Sequence, residues 1–193
     1  EGEGAFIDAP THPLVFVDGG FAAALSGIGS LPDGAILGGL ADLLARDPAK
    51  VEPLLGRLAD SERRPMVALN RAWIEDGLVL ILPDRAVLDR PVELVFVGGG
   101  TSHPRHLVTL GRTAEAVLIE RHLGSDEGGF MNCVAEIALG AGSMLRHSIM
   151  HGEPDSVLST ATHVVSLGRG ASYRGFIFTV GGGLVRHEVE ARL

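Results

Sequence analysis

A short motif in which glycine follows leucine recurs along the chain at a nearly constant spacing. Its clear copies begin at Leu110, Leu139 and Leu167. A weaker copy begins at Leu82, so the four leading leucines are separated by 28, 29 and 28 residues, and Leu193 follows 26 residues later. A fixed period of this length is typical of solenoids, in which each unit buries its apolar face against the next unit.

Two strand-like runs flank each motif. They are rich in Val, Ile, Leu, Thr and Phe and partly alternate apolar with polar residues, as strands with one buried face do. The runs are Arg105–Leu110, Asn132–Leu139, Ala161–Leu167, Glu115–Arg121, Met144–Met150 and Ser172–Thr179. A unit with two strands and two turns forms one coil of a parallel β-helix, or β-solenoid. The alternative is an antiparallel sandwich, which gives no reason for a repeated turn motif.

The sequence before the repeats has a different pattern. We expect residues 1–76 to form an N-terminal strand and a helical cap region, and residues 77–193 to form a parallel β-helix that is incomplete at its C-terminus. Leu14–Val17 predicts the strand. The predicted fold is therefore mainly β, with a small helical N-terminal region before the β-helix.

Three helices are predicted in that region from apolar residues at helical spacing. The first stripe is Ile36, Leu37, Leu40, Leu43 and Leu44, the second is Val51, Leu54, Leu55 and Leu58, and the third helix covers Met66–Ile74. Because an uncovered terminal coil would aggregate, we expect these helices to cap the open end of the solenoid.

Charge and cysteine content exclude several partners. The net charge of −8 argues against nucleic acid and against anionic membranes. A single cysteine allows no intrachain disulfide, so a reducing, cytoplasmic compartment is expected. No apolar run approaches the roughly 18 residues of a membrane span, so no membrane association is predicted.

Few residues are candidates for metal binding. Cys133 is the single thiol, and because clusters and structural zinc sites take several ligands, we interpret it as a buried structural cysteine. His122 and His151 each follow a leading leucine by twelve residues, so stacking would bring them about 4.8 Å apart. They form either an exposed polar ladder at a turn edge, which we favour, or half of a metal site.

The remaining polar residues form no recognisable catalytic set. The pairs His103/His106 and His147/His151 cannot chelate an ion within one strand, because their members face opposite sides or lie about 13 Å apart. The carboxylates are scattered along separate strands: Glu115, Glu120 and Glu136. We therefore assign no catalytic, cofactor-binding or metal-binding residue, and favour a scaffold over an enzyme.

An ordered series of segments resembles the SufD family of iron–sulfur cluster assembly proteins. The segments are Leu14–Gly19, Ala68–Asn70 with Asp76 and Gly77, Leu88–Val92, Ala114–Arg121 and Gly181–His187. The resemblance runs from about residue 13 to the end of the chain. It implies a helical region followed by a parallel β-helix, and pairing with the paralogue SufB and the ATPase SufC in a complex that assembles iron–sulfur clusters.

The resemblance also implies that parts of the family's sequence lie beyond Leu193. These are the end of the β-helix, the helical segment that binds SufC, and a cysteine-serine-histidine stretch used at the SufB interface. We therefore carry no functional residue onto this chain. We expect the fragment to self-associate or to be poorly soluble, to bind no cofactor, to hold no iron–sulfur cluster and to lack SufC binding. SufB is the alternative within the family, although SufB proteins usually carry more cysteines than this chain does.

Two functions from different classes remain open. The resemblance implies a non-enzymatic scaffold subunit of the Suf complex. The alternative is a β-helical enzyme that cleaves polysaccharides as a lyase or hydrolase. Such enzymes usually have exposed grooves of carboxylates and aromatic residues, and the single Trp and single Tyr of this chain count against that alternative.

Overall fold

The structure, a computed structural model, describes residues 10–193. The first nine residues of the expected N-terminal region lie outside the described part. The strands are β1 (His12–Val17), β2 (Gly20–Phe21), β3 (Ile36–Gly39), β4 (Leu78–Leu82), β5 (Val92–Val97), β6 (Gly100–Ser102), β7 (Arg105–Leu110), β8 (Glu115–Gly124), β9 (Gly129–Leu139), β10 (Met144–His151), β11 (Val157–Leu167), β12 (Ser172–Thr179) and β13 (Leu184–Arg192). The α-helices are α1 (Leu40–Arg46), α2 (Pro48–Val51) and α3 (Pro65–Trp73), and short 3₁₀ turns cover Ala23–Leu25 and Glu52–Leu54.

Two facing sheets form a β-solenoid of about four turns. One sheet has the strand order β12-β10-β8-β5-β1-β2, and the other has the order β13-β11-β9-β7-β4-β3. Each successive coil contributes one main strand to each sheet, and these strands pair in parallel. Antiparallel pairing in the described chain occurs at the N-terminal end, between β1 and β2 and between β3 and β4. This topology confirms the parallel β-helix and is incompatible with the antiparallel sandwich.

The leading leucines of the repeat stack as predicted. Leu110 on β7 is the register partner of Leu139 on β9, and Leu139 is the partner of Leu167 on β11. Leu110 and Leu139 are buried, and Leu167 packs against the same apolar core between the sheets. The repeat period therefore equals the length of one coil.

The glycine that follows each leucine is required by the closeness of the neighbouring coil. A Cβ atom on Gly140 would lie 2.8 Å from the carbonyl carbon of Gly111, and one on Gly168 would lie 2.7 Å from the nitrogen of Ala141. Carbon atoms in proteins do not approach backbone this closely, so any larger residue would push the coils apart. The leucine fills the core and the glycine lets the chain turn beside its neighbour.

The N-terminal helices are shorter than predicted. Ile36 and Leu37, expected in the first helix, lie in strand β3, and α1 begins only at Leu40. Gly38 and Gly39 disfavour a helix there, and the free edge of β4 offers hydrogen bonds to an added strand. The second helix is also short: α2 ends at Val51 and is followed by a 3₁₀ turn. The third predicted helix is confirmed by α3.

The helices cover the outer face of one sheet, and the expectation that they cap the open end of the solenoid was wrong. Val79 and Leu107 point outward from β4 and β7 and pack against α1 and α2, while Val134 and Val164 on β9 and β11 pack against α3. Without the helices these outward apolar side chains would be exposed to water, which explains why the helices lie on this face of the sheet. At the N-terminal end the sheets are instead extended by β2 and β3.

The N-terminal region is hydrogen-bonded into the solenoid. Strand β1 pairs in parallel with β5 over its whole length, so it is itself a strand of the first sheet. The expected division between residues 76 and 77 stays a prediction.

A buried glutamate joins the helical region to the second sheet. The carboxylate of Glu136 on β9 accepts hydrogen bonds from the backbone nitrogens of Gly56, Leu58 and Ala59 at 2.7, 2.5 and 3.0 Å. It also forms an ion pair of 2.6 Å with Arg105 on β7, and both side chains are almost fully buried. One carboxylate thus holds two coils and the connecting loop together.

Replacing Leu139 with Ala tests the stacked core. We expect the free energy of unfolding to fall by about 2–5 kcal/mol, because a buried leucine leaves a cavity that neighbouring coils fill only partly. Urea denaturation measures the loss, and hydrogen exchange should show weaker protection in β7 and β11 as well as in β9. The control is Leu158→Ala on β11, since Leu158 is 46% exposed, and it should change stability by less than about 0.5 kcal/mol. Equal effects of the two substitutions would contradict the prediction.

Replacing Glu136 with Gln tests the buried anchor. We expect a loss of about 3–5 kcal/mol, because Arg105 would keep its buried charge without a carboxylate partner. Hydrogen exchange of the amides of Gly56, Leu58 and Ala59 should accelerate. Glu115→Gln, at an exposed position on β8, is the control and should leave both measurements unchanged. Unchanged exchange in the Glu136 variant would show that the loop is held by other contacts.

Candidate functional site

The space between the sheets is apolar at one end and polar at the other. Along β8, the inward positions are apolar at Ala116 and Leu118 and polar at Glu120 and His122. All four side chains are buried, so the polar half is part of the interior. Burying a polar group costs free energy unless the group has partners. We therefore take this polar half of the solenoid as the candidate site.

Four rings form a continuous stack through successive coils. Their order is Phe16, Phe96, His122 and His151, with centroid separations of 5.0, 4.8 and 4.5 Å. His122 and His151 are register partners on β8 and β10, as their equal offset from the repeat motif predicted. Our preferred interpretation as an exposed ladder was wrong, because both histidines are 2% exposed. They continue a column that begins with two buried phenylalanines.

Glu120 is the central buried carboxylate of the site. Its Oε1 lies 2.8 Å from Nε2 of His147, and its Oε2 lies 3.3 Å from Nε2 of His122. Burial by itself would raise the pKa of Glu120, but the attraction of His147 and the hydrogen bonds from both histidines outweigh it and hold the pKa well below its ordinary value. The expectation that the glutamates are merely scattered is therefore wrong for Glu120, which is an ionised group with two histidine partners.

The second sheet contributes Cys133, His106 and His163 to the same interior. Cys133 is buried, as predicted, and burial together with the nearby charge of Glu120 raises the pKa of its thiol well above the usual value. Burial likewise lowers the pKa of His106 to about 4 and that of His163 to about 3. In the metal-free protein these three side chains are therefore neutral.

One group of possible metal ligands consists of His106, Glu120 and Cys133, whose ligand atoms lie within 4.8 Å of one another. Two features count against metal binding by this group. Nδ1 of His106 accepts a hydrogen bond of 3.0 Å from the Leu78 amide, so the neutral ring carries its proton on Nε2. The thiol of Cys133 is also protonated, and a metal would have to displace both protons. Iron–sulfur clusters need several thiolates, so these residues do not fit a resident cluster.

The second group consists of His122, His151 and Glu153, whose ligand atoms also lie within 4.8 Å of one another. Sequence spacing predicted the contact between the two histidines. It did not predict Glu153, which follows β10 in a loop and turns back to His151 at 3.0 Å. No sequence period indicates such a contact.

The architecture defines a class of protein: a parallel β-solenoid whose interior carries buried histidines and glutamates. Two family models together match nearly the whole chain. The one described as "SUF system FeS cluster assembly, SufBD core domain" matches residues 95–193, and "SufBD protein N-terminal region" matches residues 7–94. The chain belongs to the SufBD family. The family agrees with the resemblance found in the sequence, while assignment to SufD in particular stays a prediction.

Two curated proteins are similar over most of this chain. The iron-sulfur cluster assembly SufBD family protein slr0076 of Synechocystis sp. is 26% identical over 197 residues, covering 95% of this chain and 43% of the relative. Protein ABCI7, chloroplastic, of Arabidopsis thaliana is 24% identical over 190 residues, covering 92% of this chain and 40% of the relative. The chain thus spans about two fifths of the length of each. Within residues 10–193, no helix is long and apolar enough to cross a membrane.

The buried histidines predict a loss of stability in mild acid. His106 and His163 have folded-state pKa values of about 4 and about 3, below the unfolded value of 6.5. Between these values the unfolded chain binds more protons than the folded protein, so the free energy of unfolding falls as the pH falls from about 6.5 towards 4. Each histidine contributes up to about 1.4 kcal/mol per pH unit in that window.

Urea titrations of chelator-treated protein, repeated across this pH range, measure the effect. His163→Gln removes one of the two groups and should reduce the slope of stability against pH, whatever it does to stability at neutral pH. A slope equal to that of the unaltered protein would show that His163 is protonated in the fold.

Proposed function

We propose that the chain is part of a non-enzymatic scaffold subunit, of SufD type, in the Suf complex that assembles iron–sulfur clusters. The observation that carries this proposal is the match of the SufBD family models to both halves of the chain. The printed name of the Synechocystis relative, which refers to iron–sulfur cluster assembly, supports the same role. The cluster is the product of the complex, and this chain's single thiol suits it to support assembly rather than to hold the cluster alone.

The partners we propose are SufB and the ATPase SufC. The support for them is membership in a family whose core model is described as part of the SUF system of FeS cluster assembly.

We propose a scaffold rather than an enzyme because two buried glutamates, Glu136 and Glu120, are occupied by partners within the fold. Glu136 is engaged by Arg105 and by three backbone amides, and Glu120 is engaged by two histidines. The family match also favours the scaffold over the polysaccharide-cleaving alternative. A reducing compartment suits the free thiol, and we propose the cytoplasm, while the name of the Arabidopsis relative places that protein in the chloroplast.

Co-purification tests the proposal. The protein that carries this chain is tagged and co-expressed with SufB and SufC, and we expect all three to elute together in size-exclusion chromatography. Anaerobic reconstitution with iron and sulfide should then yield more cluster absorbance than the SufB–SufC pair alone. A protein that elutes by itself and leaves cluster yield unchanged would contradict the proposed role.

A further inference from the structure

Four side chains that can donate electron pairs to a metal ion lie close together beside the ring stack. His122, His151 and Glu153 supply two imidazoles and a carboxylate, and all three are buried. The thioether sulfur of Met131, on the facing sheet, lies 3.2 Å from Nδ1 of His122. The set therefore combines two nitrogens, one carboxylate and one sulfur from both sheets of the solenoid.

The other nitrogens of the two histidines are already in use. Nε2 of His122 lies 3.3 Å from the carboxylate of Glu120, and Nε2 of His151 lies 2.6 Å from Nε2 of His187. Histidines that bind metals usually have their second nitrogen held in this way. The Nδ1 atoms are therefore the nitrogens left for a metal: that of His151 lies 3.0 Å from both carboxylate oxygens of Glu153, and that of His122 lies 3.2 Å from the sulfur of Met131. A bound ion would take the place of the hydrogen bond between His151 and Glu153.

The carboxylate of Glu153 is also held in place. Its Oε1 accepts a hydrogen bond of 2.7 Å from the hydroxyl of Ser159. This bond and the contact with His151 fix the carboxylate beside the ring stack, where Glu120 is also buried. A divalent cation between the histidines would bind a carboxylate that is already held in position.

A small cavity lies beside this group. It has a volume of about 30 Å³, and Met131 and Glu153 are among the residues that line it. Its other walls are glycine-rich loops at Gly98–Gly100, Gly124 and Gly129, together with the exposed Asp18. A volume of this size is large enough for one water molecule.

From these observations, we propose that His122, His151, Glu153 and Met131 bind one divalent first-row transition-metal ion inside the solenoid. Imidazole and thioether donors select ions such as Fe²⁺, Co²⁺ and Zn²⁺ over Mg²⁺ and Ca²⁺, which take oxygen ligands. Unlike the group around Cys133, the site contains no thiol that must lose a proton before it binds a metal. The proposal holds whether or not the protein takes part in cluster assembly.

Cobalt is the probe for this site, because Co²⁺ replaces Fe²⁺ or Zn²⁺ and has visible absorption. Chelator-treated protein is titrated anaerobically with CoCl₂, and we expect one ion per chain, with d–d bands and no thiolate-to-cobalt charge-transfer band. Glu153→Gln and His122→Gln should each weaken binding by more than about a hundredfold. Mg²⁺ in excess should not compete.

Two matched variants separate this group from the rest of the interior. Cys133→Ala and His163→Gln alter buried residues outside the proposed ligand set, and both should retain cobalt binding. Loss of binding in Cys133→Ala, or a charge-transfer band in the unaltered protein, would place the ion at the group around Cys133 and overturn the proposal. Unchanged binding in Glu153→Gln, or no binding by the unaltered protein, would overturn it as well.

A measurement on the unaltered protein guards against variants that fail to fold. X-ray absorption of the zinc-loaded protein should show two imidazole ligands, with nitrogen at about 2.0–2.1 Å. A short sulfur distance of about 2.3 Å is the signature of a thiolate and would exclude the proposed set. Competition between Fe²⁺ and Zn²⁺ in the same experiment identifies which ion the site prefers.

Discussion

The rest of the structure depends on the in-register parallel pairing of successive coils. In the central coils each strand hydrogen-bonds to the strand one repeat earlier, so residues 28 or 29 positions apart become neighbours about 4.8 Å apart. Equivalent positions therefore form columns. The leucine column fills one end of the interior, and the phenylalanine–histidine column runs through the other. A glycine beside each leucine keeps the coils at this separation, because even one methyl group would meet the backbone of the adjacent coil.

The buried glutamates of the interior and of the second sheet are stable because each has polar partners. Glu120 has two histidine partners, Glu136 has an arginine and three amides, and Glu153 has a histidine and a serine. An apolar core of the same volume would avoid the cost of burying these groups. Metal binding at the His122 group is the use we propose for part of this polar interior, because both histidines there are oriented by outer partners.

The N-terminal region supports this interior from the side. Its helices cover the outward apolar residues of the second sheet, and the Glu136 carboxylate ties their connecting loop to β9. The two faces of β9 thus make different contacts. Cys133 faces the histidines in the interior, while Glu136 on the outer face accepts hydrogen bonds from the loop of the helical region. Membership in the SufBD family adds a role in cluster assembly as the proposed setting in which this rigid body acts.

The repeat period alone determined the main architecture, because a constant spacing of leucine and glycine in a solenoid converts directly into stacking. It predicted the leucine column, the positions of the strands and the contact between His122 and His151. It did not show that Ile36 and Leu37 form a strand, since that depends on the free edge of β4. It also did not show that the histidines are buried, or that Glu120, His147 and Glu153 approach them. Those contacts run along β8, diagonally from β8 to β10 in the same sheet, and back from the loop after β10. Only the tertiary structure decided them, because a sequence period relates equivalent positions and carries no information about which unlike positions meet inside.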